Sequence, residues 1–496
     1  MQKEKQQQIL NIVKSLKKMH EIMKGQEQQQ SQDELVKCQE SAIIVGNAIE
    51  KTEGEGTEAV ELLEEYCEKV YEKSRALVEG QQSIETDEQM IRLLDRISES
   101  IEKIPFSYEI VFLPYKYSMW DCMESIWMAA KEDTRCKCRV IPIPYYECEM
   151  GSGIRYCYEG EMFPENIDIV DYRDYDLQTE KPDVIFVHNP YDNCNYVSQI
   201  DPAYFSDKLV NITNMLVYVP YYIAGSYGKK GGWFQLMAEL PGVSNANRII
   251  VQAEAQKNAM IAAGIPEKKL LLLGQPKFDK AVRLNKEEYR NVSKWSKQIK
   301  DQKVFLLNSS IEYLLGDTFR WFQVIDNVIK TVLSMEKVVL LWRPHPLLEA
   351  TIRSMRPDIY DRYLELKATM SASERIIVDE TKDAYEAMAL SDALISDYSS
   401  IIFQYIATKK PVYVMNGDKA SKENVIVTCD YYEAYLESEM ELSEFVGLVI
   451  RGDDPKAELR YNTMADSVVN MDGTSGEKVF YHIMGELESR EGETNL

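Results

Sequence analysis

The chain has 496 residues but only four histidines, no Cys-x-x-Cys pair and no surplus of positive charge. Nor does it contain an apolar run near the ~18–20 residues that cross a bilayer. Each shortage excludes something. Without Cys-x-x-Cys there is neither a zinc ribbon nor a thioredoxin motif. The nine cysteines are odd in number and scattered, which suits reduced thiols in a cytosol. Lys and Arg total 57 against 81 Asp and Glu, a net charge of −24. That balance argues against nucleic-acid binding, which needs clustered cations on phosphates, and against a polybasic membrane patch. The opening MQKEKQQQILNIVKSLKK has no apolar core and no small-residue cleavage site, so no secretory signal is expected.

What is present is globular. Hydrophobic residues make up 45% and charged residues 28%, and the length predicts two to four domains. Residues 1–100 read as helix only. Ile9, Ile12, Val13, Leu16, Met19 and Met23 form one stripe at 3–4-residue spacing. Further stripes run through Leu35, Val36, Ala42, Ile43 and Ile49, and through Ala59, Leu62, Leu63, Tyr66 and Val70. Such faces pack on their own body or on a partner helix, which leaves chain pairing through this segment open.

From Tyr108 the pattern changes to short β-branched runs separated by helices. Glu109–Pro114, Arg139–Ile143, Val184–His188, Met215–Val219, Arg248–Val251 and Leu270–Leu273 form one series of strands. Lys303–Leu307, Val338–Trp342, Arg375–Val378, Ala393–Ser396 and Pro411–Met415 form a second. Strands alternating with helices imply βαβ units and mostly parallel sheets. The expected fold class is therefore α/β. It comprises a helical segment at 1–100, a Rossmann-like domain at 101–290 and a second at 291–490, the two facing a cleft.

Ligands of such sheets sit beyond the carboxyl ends of the strands. After Val338–Trp342 come Arg343-Pro344-His345-Pro346. Two prolines stiffen this segment, the arginine fork suits phosphate oxygens, and the histidine donates near neutral pH. The competing reading is a structural turn whose arginine pairs with an acid. After Ala393–Ser396 come Asp397-Tyr398-Ser399-Ser400 and a helix, an arrangement that offers hydroxyls and free N–H groups to an anion. Asp397 would repel phosphate and is expected to cap the helix or orient a neighbour. Ser309 and Ser310 end another strand, and Gly473 lies in a turn that feeds the last helix. His188 ends a strand of the first series and is either a cleft residue or a buried, satisfied histidine. Lys229 and Lys230 sit in a glycine-rich loop, and Asp174-Tyr175-Asp176 matches a common metal-binding triplet. Neither carries weight, and no metal site is assigned.

At Arg343-Pro344-His345-Pro346, Ser396–Ser400 and Lys409–Met415 the chain resembles the CDP-glycerol glycerophosphotransferase family of teichoic acid and related polyol-phosphate synthesis. Gly274–Asp279 (GQPKFD) and Asn470–Lys478 (NMDGTSGEK) match two further segments of that family. The resemblance covers roughly residues 245–485 well and residues 105–245 loosely. It implies a GT-B fold and a CDP-alcohol such as CDP-glycerol held mainly by the second Rossmann domain. Arg343 and His345 would sit on the diphosphate and Ser399 and Ser400 on phosphate, with no cofactor and no tightly bound metal. It further implies a polyol-phosphate or glycan acceptor, CMP release, and a cytoplasmic location reaching the inner face of the membrane. There is one departure. The family carries a histidine in a WHG-like motif of the first domain, and the matching VYVPYYI at 217–223 has none. His188 is the candidate substitute base and, with His345, the expected catalytic pair. The alternatives are a GT-B glycosyltransferase using a nucleotide sugar and a non-catalytic relative that serves as a scaffold.

Overall fold

The computed structural model describes residues 1–23, 28–79, 84–149, 153–195, 198–228, 232–345, 347–381, 384–416, 425–431 and 433–494. They divide into two compact units, Met1–Ile110 with Asp133–Lys137, and Val111–Glu132 with Cys138–Leu496.

The first unit holds four helices, Lys3–Met23, Gln28–Glu53, Glu58–Val78 and Ile84–Lys103. Three carry the expected stripes, except that Val36 and Ile43 of the second stay exposed. The fourth adds Met90, Leu93, Leu94, Ile97 and Ile101, and all four stripes close on a common core with Val13, Leu16, Leu35, Val45, Leu63 and Tyr66. The core-facing stripes are thus satisfied within the unit, as a bundle requires.

At the centre of this bundle His20 is buried, with Nε2 at 2.6 Å from the Tyr66 hydroxyl. Burial, then the Lys73 charge, lowers its pKa to about 4. The unfolded chain therefore takes up the proton first as pH falls below the ordinary histidine value. Stability is complete above that value and is lost on going down to pH 4, by up to about 3 kcal/mol. We expect His20→Gln to flatten this loss. Urea melts of both proteins at pH 7.5 and 4.5 would show it, and an unchanged pH dependence in the variant would refute the assignment.

The second unit is built on two six-stranded sheets. The strands of the first are β1 (Tyr108–Leu113), β2 (Cys136–Val140), β3 (Val184–Val187), β4 (Met215–Tyr218), β5 (Arg248–Val251) and β6 (Leu270–Leu272). Their order is β6-β5-β4-β3-β1-β2, and the pairs from β3 to β6 are parallel. The second sheet comprises β7 (Lys303–Ser309), β8 (Val338–Pro344), β9 (Ile376–Val378), β10 (Ala393–Ser396), β11 (Val412–Val414) and β12 (Tyr435–Leu436). Its order is β9-β8-β7-β10-β11-β12, parallel throughout. This is the doubly wound order of a dinucleotide-type Rossmann sheet, and the first sheet follows the flavodoxin-like order.

Two expected strands shift. Arg139–Ile143 is replaced by Cys136–Val140. Pro142 and Pro144 lack N–H groups, so only Ile141 and Ile143 still donate to the backbone of Phe112 and Pro114. The expected Val338–Trp342 extends to Pro344, because β7 runs on and pairs Asn308 with Arg343 and Ser309 with Pro344. Two small antiparallel sheets were not anticipated. One joins Tyr145–Glu149, Gly153–Cys157 and Ser198–Ile200. The other pairs Ser226–Gly228 from the first half with Val425–Val427 from the second. The last helix, Ser475–Thr494, returns to the first half: Gly476 lies against Ser125, and Arg248 pairs with Glu486 at 2.5 Å.

Candidate active site at the sheet switch points

In a doubly wound sheet the helices leave in opposite directions where the strand order reverses, and a crevice opens at that point. In the second sheet the reversal lies between β7 and β10. Asn308 stands in register with Arg343 on one side and Ser396 on the other. All three side chains share the sheet face that carries Val304, Leu306, Leu341 and Leu394. Asn308 Nδ2 donates to Ser396 Oγ at 2.9 Å. Arg343 and Ser396 are two strand spacings apart, about 10 Å. The Arg-Pro-His segment and the Ser399-Ser400 turn thus open from the same sheet edge rather than from opposite sides of the domain.

The residues at that edge are differently occupied. Arg343 is 7% exposed, and its Nη1 donates to Asp379 at 2.6 Å and to Thr381 Oγ1 at 3.1 Å. The reading in which this arginine pairs with an acid is therefore realised, and its fork is only partly free. Its other donors make no hydrogen bond among the described residues. Asp379 is held in turn by the N–H and hydroxyl of Thr381. His345 is exposed. Its Nδ1 accepts from the Leu347 N–H at 3.2 Å, so the neutral ring carries its proton on Nε2. Partial burial and the Arg343 charge lower its pKa, favouring that neutral donor.

Asp397 orients a neighbour, one of its two expected roles. Its carboxylate accepts from the Ser310 N–H at 2.9 Å and from the Ser310 hydroxyl, which ties the loop after β7 to the loop after β10. Burial pushes its pKa up. Ser310 also caps Ile311–Gly316, accepting from the Tyr313 N–H, so its hydroxyl is spent on the fold. Ser309 lies on the opposite face of the sheet from Asn308, wholly buried and with Oγ unpartnered among the described residues. Ser399 is half-buried and Ser400 exposed, and neither hydroxyl has a hydrogen-bond partner among the described residues. Among the described residues, these two hydroxyls, His345 Nε2 and the uncommitted Arg343 donors are left open at the edge.

Gly473 lies in the turn that feeds the last helix. Its φ is +90°, a conformation suited to glycine, and its carbonyl accepts from Arg283 Nη2 at 2.5 Å. The two segments GQPKFD and NMDGTSGEK in fact hold each other. Asp279, fully buried, accepts from the N–H groups of Ser475 at 3.1 Å and Gly476 at 2.7 Å. Ser475 Oγ and Asn470 Nδ2 both donate to the Leu273 carbonyl. Gly274 has φ +95°, and a Cβ there would meet the Val469 carbonyl oxygen at 2.5 Å.

The first sheet reverses between β1 and β3, where His188 sits. It is fully buried and stacked on Tyr115, with ring centroids 5.1 Å apart. Nε2 accepts from the Tyr115 N–H at 3.2 Å, and Nδ1 has no partner among the described residues. Burial, then the Lys277 charge, lowers its pKa to about 3. In this arrangement the ring presents no free lone pair to an acceptor hydroxyl. The adjoining VYVPYYI loop is held by Gln275 Nε2, which donates to the carbonyls of Pro220 and Tyr222, and by Lys277 Nζ on that of Tyr221.

Sequence reasoning missed a polar bridge between the halves. Lys277 pairs with Asp121 at 3.3 Å, Tyr385 Oη donates to the same carboxylate at 2.6 Å, and Gln404 donates to Tyr385. Asp121 lies in the short turn Tyr117–Cys122 and carried no motif. Asp379, which ends the β9 segment, was also unmarked. Asp176 caps a short helix through the Gln178 N–H. Lys229 and Lys230 lie outside the described residues. No cluster of three or more metal-ligating side chains is present among the described residues.

Known proteins share this organisation. A solved UDP-N-acetylglucosamine 2-epimerase from Listeria monocytogenes superposes with a TM-score of 0.50 at 15% identity, covering 77% of this chain and 97% of its own. A structure of the wall teichoic acid polymerase TagF scores 0.49 at 13% identity over 86% of this chain and 99% of that one. The Staphylococcus aureus (strain NCTC 8325 / PS 47) teichoic acid ribitol-phosphate polymerase TarL is 26% identical over 184 residues, 35% of this chain. That match spans only 29% of the TarL length. The model of one family, CDP-glycerol:poly(glycerophosphate) glycerophosphotransferase, matches residues 235–485, just over half the chain. That span contains both interlocked segments, the Arg343–His345 edge and the Asp397–Ser400 turn, and the chain belongs to this family.

Proposed function

We propose that the chain transfers a polyol phosphate, glycerol phosphate foremost, from a CDP-alcohol to a hydroxyl of a cell-surface polymer or glycan, releasing CMP. The observation that carries this reading is the second sheet's switch point, where His345 Nε2 and the Ser399 and Ser400 hydroxyls remain open beside the Arg343–Asp379 pair. The acceptor oxygen attacks the distal phosphorus, the bond to the bridging oxygen breaks, and CMP leaves. As a phosphate monoester with a second pKa near ~6, CMP needs little protonation. The work left to the protein is neutralising diphosphate charge and positioning the acceptor. His345 and the two serines serve the first task, with Arg343 contributing its charge and its uncommitted donors. For His188 to take the acceptor proton, the Tyr115 segment must first release Nε2. In the conformation described, the histidine holds that segment in place.

No resident metal is part of the proposal, and EDTA is expected to leave CMP release within about twofold, since one lost electrostatic partner costs far more. A hundredfold loss restored by Mg²⁺ would overturn that point. We place the reaction in the cytoplasm, against the inner face of the membrane. No helix among the described residues is long and apolar enough to cross a membrane. The deciding experiment is incubation with CDP-glycerol, CDP-ribitol and UDP-N-acetylglucosamine in turn. CMP from a CDP-alcohol is the expected result. UDP release would replace the donor class, and silence with all three would leave a binding protein rather than a transferase.

A further inference from the structure

We propose that the groove between the second and third helices of the N-terminal bundle docks a basic amphipathic helix of a partner protein. The groove has a volume of about 350 Å³ and lies between Gln28–Glu53 and Glu58–Val78. Ile43, Gly46, Leu63 and Cys67 line its apolar floor. The bundle core is already closed without it, yet Ile43 stays 50% exposed. Val36, two turns before Ile43, is also 50% exposed, and Tyr71, one turn after Cys67, is 62% exposed. Each helix thus carries an outward apolar stripe in addition to its core-facing one.

Gly46 sharpens the case. It sits inside a 26-residue helix, where glycine is less favourable than alanine. A Cβ at this position would meet nothing within 4 Å, so no contact within the chain demands glycine. A helix laid along the groove passes over this bare backbone and approaches more closely for the missing side chain.

Charge decides between occupants. Glu50, Glu64 and Glu68 rim the groove, and no lysine or arginine lines it. None of the three forms an ion pair among the described residues. A second copy seated by the same face would bring these carboxylates against their own kind, and an anionic leaflet would be repelled in the same way. The complement is a helix with apolar residues at i, i+3, i+4 and i+7 and lysine or arginine on both flanks.

The test uses the full chain and a fluorescein-labelled 18-residue Leu/Lys peptide of that pattern, with a scrambled peptide of the same composition, followed by fluorescence anisotropy. The patterned peptide is expected to bind with 1:1 stoichiometry and the scrambled one at least tenfold more weakly. Gly46→Phe, which fills the groove from an open position, and the double variant Glu64→Lys/Glu68→Lys are each expected to weaken binding tenfold or more. Circular dichroism melts of both variants verify that the bundle is intact. Failure of the peptide to saturate, equal binding of the scrambled peptide, or variants that bind like the parent would each overturn the proposal. So would a dimer of the chain, or attachment to phosphatidylglycerol vesicles, that Gly46→Phe abolishes, since the occupant would then be a second copy or a lipid surface.

Discussion

Replacing His345 by alanine is expected to cut CMP release from CDP-glycerol by about 10²–10³-fold, the effect of deleting one preorganised donor from an anion-stabilising site. The side chain is suited to that comparison because so little of the fold rests on it. The residue is exposed, and among the described residues the one hydrogen bond of its ring is the weak acceptance from the Leu347 N–H. Urea melts should therefore show almost no change, which separates a catalytic loss from unfolding. The neighbouring arginine should behave oppositely. Arg343→Ala leaves Asp379 buried with its Nη1 donor gone. Removing one partner of such a pair costs about 3–5 kcal/mol, so turnover and stability should fall together. If His345→Ala released CMP within threefold of the parent rate, the phosphate role assigned to this edge would be untenable.

The second large effect is expected at Asp279. Its carboxylate caps the last helix through the N–H groups of Ser475 and Gly476 and is fully buried. Alanine would leave two buried donors unpaired at roughly 1–3 kcal/mol each, and the loss of an N-cap alone is worth about 0.5–2 kcal/mol. A destabilisation of about 3 kcal/mol follows, enough to shift a urea midpoint by one molar or more at a slope of about 2–3 kcal/mol/M. Asn keeps one acceptor and should lie between. This residue belongs to a family-like segment, yet nothing places it against substrate. Its variant should lose activity only in step with unfolding. Full stability with abolished turnover would instead make Asp279 a site residue.

These predictions mark where the chain was readable. The α/β class and ten of the twelve sheet strands stood out as apolar β-branched runs, because strands buried on both faces leave few polar positions. β2 was misplaced, since its apolar half lies among prolines that cannot continue the ladder. β12, two residues long, is too short for any periodicity to register. The Ser226–Gly228 and Val425–Val427 pair was invisible for a related reason: each segment is short, and its partner is nearly two hundred residues away. The strand-end rule marked His345, Ser399, Ser400 and Asp397, all of which follow strands of the second sheet. The same rule could not tell Ser309 from Asn308, because neighbouring residues of a strand face opposite sides and the motif does not say which side carries the crevice.

Composition and pattern by themselves determined the helical N-terminal segment and the two Rossmann halves, and marked the sheet edge that we propose for the anion. Those features are written in local periodicity and in residue types that serve one chemistry. The tertiary structure alone decided which polar groups remain available. Arg343 meets Asp379, Ser310 meets Asp397, His188 meets the Tyr115 backbone, and Asp279 meets the start of the last helix. Each partner is 36 to 197 residues away in sequence. A buried polar group must find a partner wherever the fold supplies one, and that choice is not encoded near the residue itself.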